Sequence, residues 1–447
     1  MLNEEGALGR CADLINRAKE LGADAADAVY VGNHSESVEV RLGELEAVDR
    51  SETEHFGLRV FVGKRSATIG SSALDAASLD ELASRAIAMA RAAPQDEFSG
   101  LAPEDMLMKG PIPDLDLVSP NPDADILRES AREAEECARQ VQGITNSEGA
   151  SAGSGGNTIA IATSHGFVGS YCQSRHSISA AVVAGQGSGM ERGSEWRVAR
   201  HRGELPDAAE IGRKAADRAV ARLGPETMRS GAMPVVFDPM VGRSLVGHLV
   251  GAISGPSIAR GASFLMEHEG KQVFDSAVTI VDDPLRPRGL SSHPFDGEGL
   301  PARPSTIIAN GVLSGWLLDT ASANKLGRRP TGHAVRHGGG SPSASCSNVV
   351  LSPGQQSVEE LIADIEDGVL VTELIGQGVN GVTGDYSRGA SGFRIRGGEI
   401  MGPVSGITIA GNLLEMFRSL RAANDLENFY AVNVPTLRID GMMVAGA

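Results

Sequence analysis

Apolar residues at Leu8, Cys11, Leu14, Ile15, Ala18 and Leu21 recur at helical spacing and stop at Gly22, which predicts an amphipathic helix. Short β-branched runs follow at Ala28–Val31, Ser37–Val40 and Leu58–Val62, punctuated by glycine, and predict a small antiparallel meander. Ser78-Leu79-Asp80-Glu81 reads as a capping box. It opens a helix with an apolar face of Leu79, Leu82, Ala83, Ala86, Ile87 and Ala90, closed by Pro94. Residues 1–94 are thus an α-β-β-β-α unit.

Residues 95–122 carry Pro103, Pro111, Pro113, Pro120 and Pro122 with little periodicity, and predict an extended connector. A second unit follows over 123–228. It has a helix over 123–141, strands Asn157–Ala162, Phe167–Tyr171 and Ile178–Val183, and a helix over 207–223 that ends at Gly224-Pro225. Its order repeats the first unit, and Ile69-Gly70-Ser71 echoes Val168-Gly169-Ser170, which suggests a duplication.

The main boundary falls near 228, where the apolar strand Pro234–Phe237 begins a second half. Asp238 caps a helix with Pro239 at its first position and with Leu245, Val246, Leu249, Val250 and Ile253 on one apolar face. Gly242, Gly247, His248 and Gly251 form the other side, a smooth strip suited to close approach. The Asn310-Gly311 pair between Thr306–Ala309 and Val312–Leu317 supplies the two positive-φ residues of a type I′ hairpin. Ser357-Val358-Glu359-Glu360 caps another helix, and Gly397-Gly398 turns a second hairpin between Phe393–Arg396 and Glu399–Met401. The class is α+β: an N-terminal α/β domain over 1–228 and a largely antiparallel β domain with packed helices over 229–447.

Composition narrows the partners. With 40 basic against 57 acidic residues and a net charge of −17, the chain is a poor candidate for the basic face that nucleic acid or an anionic bilayer requires. No run approaches the ~18 apolar residues of a membrane span, and the acidic start Met1-Leu2-Asn3-Glu4-Glu5 is unlike an export signal, so the cytoplasm is the expected compartment. Cys11, Cys137, Cys172 and Cys346 are far apart and show no C-x-x-C pairing. Cys11 and Cys137 fall at apolar helix positions, where they pack as small hydrophobes.

Several motifs resemble chemistry without its context. Gly149-Ala150-Ser151-Ala152-Gly153 fits a nucleophile elbow, but a strand follows instead of a helix, and it reads as a flexible turn. Gly376-Gln377-Gly378-Val379-Asn380-Gly381 fits a dinucleotide fingerprint, but no helix N-terminus follows to meet a pyrophosphate. His333 and His337 have metal-ligand spacing for a helix, yet Gly332 and Gly338-Gly339-Gly340 point to a loop lining a groove. Glu267-His268-Glu269 reads as a surface turn. His248 is either a hydrogen-bonded structural imidazole or one that touches substrate or partner.

At Ser244–Gly255, Ser292–Gly299, Lys325-Leu326-Gly327 with Thr331–Ala334, Asn380–Gly389, Ile407–Leu413 and Pro435-Thr436-Leu437, the sequence resembles the TldD/PmbA (TldE) family, nearest its PmbA branch. In the TldD branch the resemblance implies a zinc peptidase with a His-Glu-x-x-x-His helix and a Cys just before the Pro-Thr-Leu. Here Val246, Gly247 and Gly251 hold those helix positions, and no cysteine follows Cys346. No other register restores the set.

The resemblance therefore implies a subunit without catalytic or metal-ligating residues of its own. It would pair with a TldD-like paralogue, which carries zinc, to degrade unfolded or modified peptides. In the absence of the paralogue a homodimer is the expected alternative. The residues expected to contact peptide or partner are His248, His333, Asp385, Tyr386 and Arg388, and a sheet edge of the second half is a candidate peptide rail. The alternatives are a stand-alone metal-dependent hydrolase, or a binding module that modulates another machine such as DNA gyrase.

Overall fold

The computed structural model describes the whole chain except Leu74, His337, Ala447 and the side chain of Ala76. Asn3 accepts a hydrogen bond from the Gly6 N–H (2.9 Å) and opens helix α1 (Glu4–Glu20), which buries Ala7, Cys11, Leu14, Ile15 and Ala18. Cys11 is a core residue there, and burial pushes its thiol up to about 12.

The strands are longer than the hydrophobic pattern suggests. Ala28–Val31 and Ser37–Val40 are two parts of one strand, β1 (Ala25–Arg41), which pairs antiparallel along its whole length with β2 (Glu44–Val62). The segment between them, Asn33 to Ser37, is polar on the face away from the helices and so shows no apolar alternation. Strand β3 (Arg65–Ser71) completes the unit. Helix α2 (Ala76–Ala92) starts earlier than the predicted capping box, because Asp75 is the cap and accepts from both the N–H (3.0 Å) and Oγ (2.6 Å) of Ser78.

The second unit has α3 (Ala124–Arg139), β4 (Ile144–Thr163), β5 (Val168–Ala184), β6 (Glu191–Ala199) and α4 (Ala208–Ala221). Its α-β-β-β-α order repeats the first. The two units share one six-stranded antiparallel sheet, ordered β3-β2-β1-β4-β5-β6, joined where β1 pairs with β4 from Asp27↔Thr163 to Val40↔Ala150. The sequence echo does not mark equivalent positions: Ile69-Gly70-Ser71 lies in β3, whereas Val168-Gly169-Ser170 opens β5, the counterpart of β2. Nor is Gly149–Gly153 a turn. It lies inside β4, sandwiched between β1 and β5.

All four helices pack on one face of this sheet, against Ala28, Tyr30, Leu58 and Ala160 for α1 and α2, and against Ile178, Ala180 and Val182 for α3 and α4. The other face turns toward the second half.

That half begins with β7 (Gly231–Phe237) and helix α5 (Pro239–Ile253), whose cap Asp238 accepts from the Met240 N–H at 2.8 Å. Strands β8 (Asp367–Ile375), β9 (Asp385–Arg396), β10 (Glu399–Asn412) and β11 (Leu437–Ala445) form a sheet with β7 in the order β10-β9-β8-β7-β11. It closes on itself where Thr408, Ile409 and Ala410 pair with Ala445, Val444 and Met443. The predicted hairpins form, with φ of 48° and 82° at Asn310 and Gly311 and 59° and 79° at Gly397 and Gly398. The Ser357–Glu360 capping box is present in both directions. No helix among the described residues is long and apolar enough to cross a membrane.

The halves meet through buried charge. Asp27 of β1 pairs with Arg59 of β2 and, at 2.8 Å, with Arg336 of the second half, while Arg59 reaches Glu298 at 3.5 Å. Burial alone would raise Asp27, but Arg336 and Arg59 outweigh it and hold the carboxyl below its usual range. Glu298 accepts from the Thr320 N–H (2.8 Å) and Oγ (2.7 Å). Asp296 accepts from the N–H groups of Glu298 and Leu300, both at 2.9 Å, and burial, then the neighbouring Glu298, push it up. Beside this cluster Phe295 packs edge-on against Phe167 (4.9 Å) and Tyr171 (5.4 Å) of the first half.

The approach is close enough to demand glycine. A Cβ at Gly57 of β2 would stand 2.1 Å from the carbonyl oxygen of Gly339, a backbone atom that no rotamer change can move. By contrast, a Cβ at Gly9, inside α1, would meet nothing within 4 Å. Gly57→Ala is expected to lower stability by about 1–3 kcal/mol or more, and Gly9→Ala to raise it by about 0.5–1 kcal/mol. Urea denaturation of both variants checks this; a Gly57→Ala protein as stable as the parent would contradict the close docking.

Candidate functional site

A cleft of about 1100 Å³ lies between the helix-free face of the six-stranded sheet and the start of α5. Strand alternation builds its floor. Where Val38, Val40, Ala150, Ala152, Ile178 and Ala180 point to the helices, Ser35, Ser37, Gly153, Gly155, Gln173, Arg175 and Ser177 point into the cleft. The floor is therefore polar and mostly small. Asn157 Oδ1 and Gln173 Oε1 are buried in this floor with no hydrogen-bond partner among the described residues.

The walls carry the larger groups. Trp196 of β6 lies 5.2 Å from the Tyr430 ring, and Arg243 of α5 stacks on Tyr430 at 4.6 Å. Arg200 is buried, and its guanidinium donates to the carbonyls of Ser174 (2.8 Å), Gly289 (3.3 Å) and Leu290. Burial pulls it down to about 10, which leaves it protonated at neutral pH. Met240, Ser244, Leu374 and Arg388 complete the rim facing the sheet.

Sequence-selected residues separate into two places. Tyr386 and Arg388 lie on β9 beside His248 of α5, whose ring meets that of Tyr386 edge-on at 6.0 Å. His248 Nε2 and the Tyr386 hydroxyl are buried, and neither finds a hydrogen-bond partner among the described residues. The structural hydrogen bond that one reading gives His248 is thus not made through Nε2. Burial pushes Tyr386 up to about 12. Asp385, exposed, organises the preceding loop by accepting from Thr383 Oγ1 at 2.6 Å.

His333 lies elsewhere, bonded to Thr331 Oγ1 (2.8 Å) and Ser305 Oγ (3.2 Å), 3.8 Å from Asp282. Its proposed mate His337 is outside the described residues. Ala334, Val335, Arg336 and Gly338, from the same loop, line a separate cavity of about 470 Å³.

The free face of α5 runs out of the cleft. Met240, Arg243 and Ser244 line it; Gly247 and Gly251 continue the same face, exposed, with nothing within 4 Å of a Cβ at either. Gly242, expected on this strip, instead lies buried against Val434 and Leu437. At the three helix positions where the resemblance implies zinc donors, this chain has the buried Val246 and the exposed Gly247 and Gly251. No three His, Cys, Asp or Glu side chains among the described residues converge as a metal site requires. The residues present do not fit a zinc ion at this place.

Most of the cleft was missed from sequence. Over 33–37, 153–157 and 173–177 the chain is polar or glycine at every position, so no apolar alternation marked these strands.

Comparison with known proteins agrees with this architecture. Residues 26–90, 116–223 and 230–446 match domain 1, the central domain and the C-terminal domain of the PmbA/TldA metallopeptidases. The chain is 36% identical over 442 residues to metalloprotease PmbA of Escherichia coli O157:H7, covering 97% of this chain and 96% of that one. It is also 36% identical over 436 residues to the metalloprotease PmbA homolog of Haemophilus influenzae, covering 97% and 94%. A solved structure from Bacteroides thetaiotaomicron, described as a candidate modulator of DNA gyrase, aligns over 100% of both chains with a TM-score of 0.91 and 27% identity. TldE from Thermococcus kodakarensis shares the fold, with a TM-score of 0.85 over 98% of this chain and 100% of that one at 22% identity.

Burial, and then the charge of Arg388, hold the His248 imidazole below its ordinary value. The unfolded chain therefore takes up this proton first. The stability that the neutral ring contributes is intact above the unfolded value of about 6.5 and is lost as pH falls toward the folded value. Arg388→Gln is expected to raise the His248 midpoint in an NMR titration of isotope-labelled histidine. An unmoved midpoint would show that the guanidinium does not act on the ring.

Proposed function

Because the chain belongs to the PmbA/TldD metallopeptidase family, we propose that it is the peptide-holding subunit of a two-chain peptidase whose zinc sits in a TldD-like paralogue. In this reading residues 1–228 supply the floor of the cleft and residues 229–447 its wall. The complex works on unfolded or modified peptides in the cytoplasm.

The observation that carries the proposal is the free face of α5. It leaves the cleft at Ser244 and continues as the exposed, side-chain-free surface of Gly247 and Gly251. A chain segment or a second subunit can approach that surface to backbone distance, and the donors of a peptidase site must then come from the other chain. Two chains of one fold associating about a pseudo-twofold axis would set the glycine face of one opposite the donor face of the other.

Peptide is held by side chains in this reading, and less by strand addition. The second-half sheet closes through β10 and β11, so the rail expected there is absent from the closed stretch. The outer edge of β6 is blunted as well: Arg218 donates to the Ser194 carbonyl (3.0 Å) and Arg222 to that of Arg192 (3.2 Å). The polar, mostly small floor remains as the surface that meets an extended backbone.

Chelator-washed chain reloaded with zinc is expected to retain well below one ion per chain by mass spectrometry and to leave a flexible peptide intact. Adding a TldD-type partner is expected to give chelator-sensitive cleavage. Tight retention of one zinc per chain, or chelator-sensitive turnover by the chain alone, would make it a hydrolase in its own right.

A further inference from the structure

Arg175, Arg200, Arg243 and Arg388 line one cleft in a chain of net charge −17. None of the four forms an ion pair with a carboxylate among the described residues. Their contacts are to carbonyls and rings: Arg200 to three carbonyls, Arg388 Nε to the Ile375 carbonyl at 3.4 Å, and Arg243 to the faces of Tyr430 and Trp196. Elsewhere the chain pairs its arginines readily, as Arg59 with Asp27, Arg328 with Glu269, Arg394 with Asp367 and Arg438 with Asp364. Glu36 is the one carboxylate among the described lining residues.

Such an imbalance has a direct consequence. Carbonyl and ring contacts fix a guanidinium's plane without cancelling its charge. Four like charges around a concave, low-dielectric wall focus a positive potential into the cleft. The buried Arg200 is the one that water compensates least, and a planar guanidinium with open N–H groups is matched geometrically to a carboxylate.

We infer that the cleft selects peptides that present a carboxylate, with Arg243 and Arg175 as the residues that read it. This rests on the cleft being the peptide site. Arg200 sets the local potential from beneath the floor, and Arg388 does so from the far rim. Neutral stretches of the same peptide lie on Asn157, Gln173 and the serines, which impose no side-chain preference. An acidic side chain and a free C-terminus offer the same chemistry, and the two sources are separable by amidation.

The test uses the full chain and fluorescein-labelled Gly/Ser peptides carrying internal Glu, Gln or Lys residues, each with a free or an amidated C-terminus, read by anisotropy at low and moderate salt. The Glu peptides are expected to bind at least about tenfold tighter than the Lys peptides, with an advantage that shrinks as salt rises. The Arg175→Gln/Arg243→Gln double variant is expected to lose most of that advantage, its affinity for the Glu peptide falling several-fold more than its affinity for the Gln peptide. If amidation weakens the Glu, Gln and Lys peptides alike, the recognised group is the terminal carboxylate; if amidation changes nothing and the Glu peptides still bind tighter, the recognised group is the side chain. Equal binding of Glu, Gln and Lys peptides that amidation does not change, or tighter binding of the Lys peptides, overturns carboxylate selection while leaving the peptide reading intact. Absence of binding by every peptide overturns both.

Discussion

Two arginines and three carboxylates are buried together where the two halves of the chain meet, and they tie those halves to each other. Asp27 and Arg59 come from neighbouring strands of the first half; Arg336, Glu298 and Asp296 come from loops of the second. Each charge is buried, so none tolerates loss of its partner. Removing one member of such a cluster strands the others at about 3–5 kcal/mol. The cluster fixes the distance between β1 and the second half at one end of the sheet, and Gly57 against Gly339 sets how near the backbones come. At the other end the halves meet through rings and carbonyls, Trp196 and Arg197 against Tyr430 and Arg200 on the carbonyls of Gly289 and Leu290. Beside these contacts the sheet face and the start of α5 stand apart, and the space between them is the site.

That geometry explains why the stretches quoted for the family resemblance divide into two roles. Ser292–Gly299 is the joint: Phe295 fills an aromatic pocket under the sheet, while Asp296 and Glu298 bind backbone N–H groups and Arg59. Ser244–Gly255 and Asn380–Gly389 lie along the cleft and its exit, where His248 meets Tyr386 and the two exposed glycines leave α5 bare. Gly247 and Gly251 do not relieve crowding, since nothing lies within 4 Å of their Cβ positions. Their effect is a smooth outer surface, which suits contact with another chain better than chemistry within this one.

Elements with strong local signals were legible in the sequence. The faces of α1, α2 and α5, the Asn310-Gly311 turn and the Ser357 capping box each follow from a few adjacent residues, and they stand where those residues put them. The long strands were not legible, because their cleft faces are serine, glycine and asparagine and lack the apolar half of the alternation. For the same reason Gly149–Gly153 read as a turn although it is the middle of β4. Of the site, His248, Tyr386 and Arg388 could be found from the resemblance and do come together. Arg175, Arg200, Arg243 and Tyr430 could not. They are scattered over more than half the chain, and only the pairing of β5 with β6, the docking of α5 and the loop that carries Tyr430 bring them to one cleft.

The central claim is that peptide lies on the sheet floor of this chain while the chemistry is supplied by another. The most direct measurement places a photoreactive amino acid at Ser177, in the middle of the floor, and maps crosslinks to a bound peptide in the complex with a TldD-type partner. The account predicts efficient crosslinking to the peptide from Ser177, and none from a control site at Ser84 on the exposed side of α2. Crosslinks to peptide that are equal at the two sites, or confined to the partner's residues, would contradict it.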